Sequence, residues 1–310
     1  MELESGQVAI LRRTFSQRDF DRFAVLSGDD NPIHVDAEFA GRTRFGRTVC
    51  HGMLLYSTIC RALSSELRPG FVQREQDLMF VTPTYTGEEI TVRLEVTALH
   101  PEDGLADIGT LITRPDGSVA CQGRTLVALD HEIAKPHEAK KHEDREGHQT
   151  SPVGDASRED VERAAKDKSG GATHKWLALG QAAEMARTFS AAELQEYRDL
   201  SGDTNPAFSD AIYARTRGWP ALQVPGGLLG GLFSALLGTR LPGRGTNWLK
   251  QRLVFPAPCY AEQEVTARVE IVRLRPEKDL VNLCTTCMVP GGQVVCEGEA
   301  LVLVKDLEHA

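Results

Sequence analysis

The chain has 310 residues, of which 41% are hydrophobic and 25% are charged, as is typical of a globular protein with room for two domains. Its formal net charge of -9, from 44 acidic and 35 basic residues, argues against a general binder of nucleic-acid phosphates. The sequence shows neither an apolar run long enough to span a bilayer nor a signal-peptide pattern. We therefore expect a soluble cytoplasmic protein with no membrane partner.

Each half of the chain begins with a predicted amphipathic helix. Ser16 and Ser190 are candidate N-caps, because each precedes a segment whose apolar residues recur three positions apart. A second helix over residues 53–63 is apolar on nearly every side, and its counterpart covers residues 228–237. A helix that is apolar all round is expected to be buried.

Predicted strands follow the buried helix in the first half. Residues 90–96, 106–113 and 119–129 alternate in polarity or are rich in β-branched side chains, and turn residues separate them. One buried helix followed by an antiparallel meander predicts a sheet wrapped around that helix. The fold class is therefore α+β, and each half is expected to be a hot-dog unit.

An internal repeat relates the two halves. The repeated motifs are Arg-Thr-Phe-Ser at 13–16 and 187–190, and Leu-Ser-Gly-Asp-x-Asn-Pro at 26–32 and 200–206, both with an offset of 174 residues. After one inserted residue the offset becomes 175, and it aligns Phe80 with Phe255. So many matches in one register predict a tandem duplication, with units at residues 1–130 and 185–310 in a double hot-dog.

Between the units, residues 131–184 are predicted to form a charged linker. Residues 131–170 hold ten acidic and eight basic residues with almost no large apolar ones, so they bury too little surface to offset their ordering entropy. We expect a mobile segment with a short helix over residues 157–168. Four histidines lie there, but their irregular spacing favours a solvated linker over a metal site: His131, His137, His142 and His148.

Seven cysteines lack the regular spacing of a disulfide framework, which suits a reducing compartment. Cys284 and Cys287 form a CxxC, but the surrounding residues are typical of a strand, on which side chains three positions apart face opposite sides. We therefore interpret both cysteines as strand packing and predict no metal or redox site.

Two motifs in the first unit carry candidate chemistry. They are Ser-Gly-Asp-Asp-Asn-Pro-Ile-His at 27–34 and Cys-His-Gly-Met at 50–53. Together they closely resemble the MaoC-like (R)-specific enoyl-CoA hydratases and dehydratases, and the resemblance covers about residues 15–129 and, more weakly, the second unit. It implies a reaction that interconverts trans-2-enoyl and (R)-3-hydroxyacyl thioesters.

The resemblance also implies roles for particular residues. Asp29 and His34 would be the acid and base, Asn31 would orient the site, and the Gly52 backbone N–H would face the thioester carbonyl. Adding water to a conjugated double bond needs a base for the water proton, an acid for the α-carbon and a donor for the enolate oxygen. Pro32 disfavours one continuous helix, so the chain can turn and bring side chains five positions apart together.

Three further residues are candidate substrate contacts: His51, Met53 and Arg47. His51 is equally compatible with a bond from its ring to the backbone near the helix start. Arg47, with its neighbours Arg42 and Arg44, suits the phosphates of coenzyme A, although a solvated basic patch is the commoner arrangement. The implied partner is an acyl-CoA or an acyl carrier protein, with no cofactor beyond the coenzyme A or phosphopantetheine of the substrate.

The second unit serves as an internal control. It keeps Asp203 and Asn205 but has Phe208 at the position of His34 and Pro225 at the position of His51. We therefore predict one catalytic unit and one structural partner, an intramolecular pseudo-dimer, with further homodimerisation left open. Glycines at 226, 227, 230 and 231 suggest free space beside the active unit for a longer acyl chain.

Three functions remain open on the sequence. The first is the hydratase or dehydratase reaction, which the Asp-x-Asn-Pro-x-His spacing favours. The second is hot-dog thioester hydrolysis, which also uses a carboxylate and an activated water. The third is a non-catalytic acyl-binding or scaffold protein, which is consistent with a motif that is complete in one unit alone. A purely structural turn is also compatible with the Asp and Asn of the motif, because both residues bond readily to the local backbone.

Overall fold

The computed structural model describes residues 3–67, 70–129, 176–305 and 307. The predicted linker helix over 157–168 and the four linker histidines lie outside these residues. Strand β6 begins at Ala182, three residues before the predicted start of the second unit. Among the described helices, none is both long and apolar enough to cross a bilayer.

The first unit contains five strands and four α-helices. Helix α4 continues into a π-helical turn at Leu63–Leu67, where the predicted helix was expected to end. The elements are β1 (Val8–Thr14), α1 (Gln17–Ser27), α2 (Pro32–Val35), α3 (Ala37–Arg42), α4 (Gly52–Ala62), β2 (Val72–Phe80), β3 (Glu89–His100), β4 (Leu105–Thr113) and β5 (Val119–Ala128).

The second unit repeats the first with three α-helices. Its elements are β6 (Ala182–Thr188), α5 (Ala191–Ser201), α6 (Ala211–Thr216), α7 (Gly226–Thr239), β7 (Asn247–Val254), β8 (Glu264–Arg275), β9 (Leu280–Met288) and β10 (Val294–Leu303). The residues equivalent to α2 form turns rather than a helix. Both predicted N-caps are confirmed: Ser16 and Ser190 each accept from the third helical N–H and complete a capping box.

All ten strands form one antiparallel sheet, in the order β1-β3-β4-β5-β2-β7-β10-β9-β8-β6. Strands β2 and β7 pair at its centre, so the sheets of the two units are continuous. This arrangement confirms the predicted α+β double hot-dog. Strands β3, β4 and β5 were predicted from their alternation, whereas β1 and β2 were missed.

Helices α4 and α7 are buried and contact each other across the boundary between the units. The glycines of α7 make this approach possible, because a Cβ atom at Gly230 would lie 2.5 Å from Met53 Sδ and one at Gly231 would lie 2.9 Å from Ser27 Cβ. A Cβ atom at Gly227 would meet the Tyr197 hydroxyl at 2.3 Å. At Gly227, Gly230 and Gly231 the expectation of free space was therefore wrong, because side chains of the other helices fill it.

The CxxC pair lies on strand β9 with its two side chains on opposite faces. Cys284 is exposed and Cys287 is buried, as the strand interpretation predicts. Burial raises the pKa of the Cys287 thiol well above its usual value, which keeps this thiol protonated.

Candidate active site

The site begins where α1 ends. Gly28 adopts the left-handed conformation that commonly closes a helix, with φ of 78°. Asn31 then caps α2 by accepting from Ile33 N at 3.4 Å, and Pro32 occupies the first helical position, where its missing N–H costs nothing. The chain therefore turns between Asp29 and His34, as the position of Pro32 predicts.

Asp29 and His34 face each other in a buried setting. Their side-chain atoms Oδ2 and Nε2 lie 3.8 Å apart, too far for a direct hydrogen bond. His34 Nδ1 lies 2.8 Å from the carbonyl oxygen of Val49. Because a carbonyl oxygen can only accept, Nδ1 carries the proton and the Nε2 lone pair is directed towards Asp29.

Burial sets the charge of His34. Removal from water lowers the pKa of the imidazole below its usual value of 6.5, although the Asp29 carboxylate and the Val49 carbonyl both act to raise it. His34 is therefore neutral near pH 7, and its Nε2 atom is able to accept a proton.

The second unit completes the site. Ser234 of α7 donates a hydrogen bond of 2.5 Å from Oγ to Asp29 Oδ2, at the short end of the range for a hydroxyl bound to a carboxylate. Gly238, one turn further along α7, lies so close that a Cβ atom would approach Asp29 Oδ1 and Asn31 Nδ2 to 2.9 Å. Sequence reasoning missed Ser234, because the aligned residue of the first unit is Cys60.

Asn31 connects the motif to the second unit as well. Its Oδ1 atom accepts from Gly245 N at 3.3 Å, and its Nδ2 atom donates to the Thr246 carbonyl at 3.4 Å. Its own backbone N–H donates to Asp29 Oδ1 at 3.2 Å. Asn31 therefore holds the loop that carries Asp29 against the other unit, in line with the orienting role expected of it.

His51 contacts both Asp29 and His34. Its Nε2 atom lies 3.0 Å from the Asp29 carbonyl oxygen, and its ring stacks on His34 with 3.8 Å between centroids. Burial and the neighbouring His34 lower the pKa of His51 well below its usual value. Since His51 is completely buried and does not line the cavity, the backbone-bonding alternative is the one the geometry supports.

Asp29, His34 and His51 are close enough together to raise the question of a metal ion, since one ligand atom of each lies within 4.8 Å of the others. The two imidazole rings are stacked with 25° between their planes. A metal ion binds in the plane of an imidazole ring, so an ion bound to one ring would lie well out of the plane of the other. The stacked arrangement therefore does not suit a metal ion shared by the two rings.

A cavity of about 110 Å³, here called the first cavity, opens beside Asp29 and His34. Gly52, the first residue of α4, lines it, and a Cβ atom there would lie 2.7 Å from Phe80 Cζ. As the first residue of α4, Gly52 presents an N–H that the helix itself cannot satisfy. Trp248 and Leu237 of the second unit also line this cavity.

Two predicted substrate contacts are not part of the first cavity. Met53 is completely buried and packs against Gly230, because the first turn of α4 directs it into the contact between helices. Arg47 forms an ion pair of 2.8 Å with Glu88 and stacks over the Tyr85 ring. Neither side chain lines the cavity, whereas Arg44 does.

Comparisons with known proteins identify relatives of this chain. Residues 3–107, which include all the catalytic candidates of the first unit, match the family model described as "MaoC like domain". An (R)-specific enoyl-CoA hydratase of Aeromonas caviae is 41% identical over 126 residues, which are 41% of this chain and 94% of that protein. The chain belongs to the MaoC-like family of hydratases and dehydratases.

Two further similarities extend this result. An (R)-specific enoyl-CoA hydratase of Rhodospirillum rubrum is 45% identical over 125 residues, covering 40% of this chain and 86% of that protein. A conserved hypothetical protein from Mycobacterium tuberculosis, described as having a double hotdog fold, superposes with a TM-score of 0.70. The match covers 97% of each chain at 15% identity, so it supports the fold alone.

The second unit keeps the shape of the MaoC-like motif without its imidazoles. Asp203 Oδ1 accepts from Ser64 Oγ at 2.7 Å and from Asn205 N at 3.1 Å, so a residue of the other unit again holds the carboxylate. Burial raises the pKa of Asp203 to about 6. Phe208 and Pro225 occupy the positions of His34 and His51, which leaves this carboxylate without an imidazole partner.

Proposed function

We propose that this chain interconverts trans-2-enoyl and (R)-3-hydroxyacyl thioesters, and that Asp29 and His34 of the first unit perform the reaction. The observation that carries the proposal is the 3.8 Å separation of Asp29 Oδ2 and His34 Nε2 at the wall of a cavity. Both atoms accept hydrogen bonds, and one water molecule that donates to each would fit between them at ordinary hydrogen-bond distances.

In the hydration direction, such a water would supply the new hydroxyl group. Neutral His34 takes a proton from the water as the water oxygen bonds to C3 of the enoyl chain, and Asp29 holds the water and stabilises the resulting imidazolium. The electron pair of the double bond moves to the thioester as an enolate. The imidazolium then returns a proton to C2, so one water is added in total and both residues regain their starting charges.

The enolate oxygen needs a hydrogen-bond donor that is in place before the reaction. The Gly52 N–H at the start of α4 suits this role, because the positive end of the helix dipole also favours negative charge there. The close contact between Gly52 and Phe80 leaves no room for a side chain at this position. Because Gly52 itself has no side chain, no atom attached to its Cα stands between the substrate carbonyl and the backbone N–H.

The size of the first cavity supports a preference for short acyl chains. Its volume of about 110 Å³ is well below the roughly 300–1,000 Å³ typical of pockets for drug-sized ligands. We therefore expect a higher kcat/KM for crotonyl-CoA than for trans-2-dodecenoyl-CoA. The same assay with enoyl groups on an acyl carrier protein distinguishes the two carriers.

The direct test is incubation with crotonyl-CoA while the absorbance of the conjugated thioester is followed. We expect the absorbance to fall, and we expect the product to be oxidised by an (R)-specific and not an (S)-specific 3-hydroxyacyl-CoA dehydrogenase. Asp29→Asn and His34→Ala should each lower the rate by about 10²- to 10⁴-fold.

Each alternative function predicts a different result in the same experiment. Release of free coenzyme A, measured with a thiol reagent, would indicate thioester hydrolysis instead. A wild-type protein that binds crotonyl-CoA without changing it would indicate a non-catalytic acyl-binding protein. A full rate in the Asp29 and His34 variants would contradict the assignment of the acid-base pair.

A further inference from the structure

The degenerate unit contains the larger of the two cavities that flank the aspartates. This second cavity has a volume of about 380 Å³, within the range of small-molecule pockets, and it shares no lining residue with the first cavity. Its lining includes the polar residues Asp203 and Asn205 and the aromatic residues Phe208, Trp219 and Phe255. The second unit has therefore lost the imidazoles but not the space for a ligand.

The second cavity keeps the feature that would receive a thioester carbonyl. Gly226 is the first residue of α7, and a Cβ atom there would lie 2.8 Å from Phe255 Cζ, as close as the equivalent contact of Gly52 with Phe80. A carbonyl oxygen would thus meet a backbone N–H at the start of a buried helix in both units.

The rim of the second cavity carries a positive charge. Arg217 lines the cavity, is exposed to solvent, and stacks over Tyr213 with 5.2 Å from its guanidinium carbon to the ring centroid. A guanidinium group at an exposed rim suits the phosphates of coenzyme A. The lining of the second cavity therefore includes a residue with a backbone donor, apolar side chains and a cation, which are the kinds of group that suit an acyl-CoA.

We propose that the second cavity binds an acyl-CoA thioester as a ligand without converting it. The choice of ligand rests on the proposed function of the first unit, because the two cavities are related by the duplication. Conversion does not occur there, since Phe208 stands in the place of His34 and cannot take or deliver a proton.

Tryptophans allow each cavity to be observed separately. Trp219 lines the second cavity and Trp248 lines the first, while Trp176 lines neither. A protein with Trp176→Phe and Trp248→Phe reports on the second cavity, and one with Trp176→Phe and Trp219→Phe reports on the first. The probe is octanoyl-CoA, a saturated thioester that has no double bond to hydrate, and free coenzyme A and octanoate are the controls.

We expect saturable fluorescence changes in both single-reporter proteins. Ala257, a partly buried residue of the second cavity, provides the blocking variant. Ala257→Phe should weaken octanoyl-CoA binding at Trp219 by at least about tenfold, because one filled cavity position removes several apolar contacts, and should leave the response of Trp248 in place. An unchanged thermal unfolding temperature would show that Ala257→Phe remains folded.

Other outcomes separate this inference from the proposed function. A response at Trp248 without one at Trp219 would overturn the second site and leave the function of the first unit intact. Equal affinity of octanoate and octanoyl-CoA at Trp219 would overturn the assignment to a thioester. A response at neither tryptophan would also overturn the second site, while the crotonyl-CoA assay decides the function of the first unit.

Discussion

Replacing Ser234 with alanine removes the hydrogen bond that the second unit donates to the Asp29 carboxylate. That bond is 2.5 Å long and lies in a buried setting, where its loss is not offset by bulk water. Hydrogen bonds to charged groups contribute about 1.5–3 kcal/mol. Since about 1.4 kcal/mol corresponds to a tenfold change in rate, we expect Ser234→Ala to lower kcat by about 10- to 100-fold.

The assay is the hydration of crotonyl-CoA, with kcat and KM determined separately. Because Ser234 contacts Asp29, which holds the water, the loss should fall mainly on kcat. Ser57→Ala is the matched control: this buried serine of α4 donates at 2.7 Å to the Leu54 carbonyl of its own helix and lines neither cavity. A wild-type kcat in Ser234→Ala would refute the idea that the second unit completes the site, and an equal loss in Ser57→Ala would show a general effect of helix packing.

Three further predictions concern the titratable residues of both units. Because burial lowers the pKa of His34 below 6.5, kcat/KM should decline on the acid side with a midpoint below pH 6.5; a midpoint above pH 6.5 would contradict this. His51→Leu removes the bond to the Asp29 carbonyl and should lower kcat about tenfold with a smaller change in KM, whereas equal changes in both would assign His51 to substrate binding instead. Folding raises the pKa of Asp203 from 3.8 to about 6, so its ionisation destabilises the folded state above about pH 6 and has no such effect below about pH 4. Asp203→Asn should therefore raise the free energy of unfolding by up to about 3 kcal/mol at about pH 8, a gain that disappears by about pH 4 in denaturant titrations; a pH-independent difference would refute it.

The fold could be predicted because the sequence contains two copies of the same pattern of helices and strands. The repeat fixes the unit length, and the buried helices α4 and α7 are evident from apolar residues on all sides. Strand β2 was missed because it is largely polar, although it lies at the centre of the sheet. Its Gln76 is completely buried and accepts at 2.6 Å from the hydroxyl of Thr125 on the neighbouring strand. Such a polar residue is tolerated because its partner satisfies it, and the local sequence does not reveal that partner.

The site residues that could be predicted from the sequence are those that lie close together in the chain. Asp29 and His34 are five positions apart and joined by a proline turn, so their proximity is a local property that the motif indicates. Ser234 is 205 positions from Asp29, and its hydroxyl reaches the carboxylate only because two units pack together. The glycines of α7 were wrongly predicted to leave free space for the same reason. Whether a glycine leaves a gap or lets a neighbouring side chain approach depends on packing across the units, which the local sequence does not show.

We propose that the first unit alone is catalytic, because His34 stands where the second unit has Phe208. The decisive variant is His34→Phe, since it gives the first unit the residue that its own duplicate carries. We predict that this variant remains folded and hydrates crotonyl-CoA at least about 10²-fold more slowly than the wild type. A rate within a few-fold of the wild type in a folded His34→Phe protein would contradict the account.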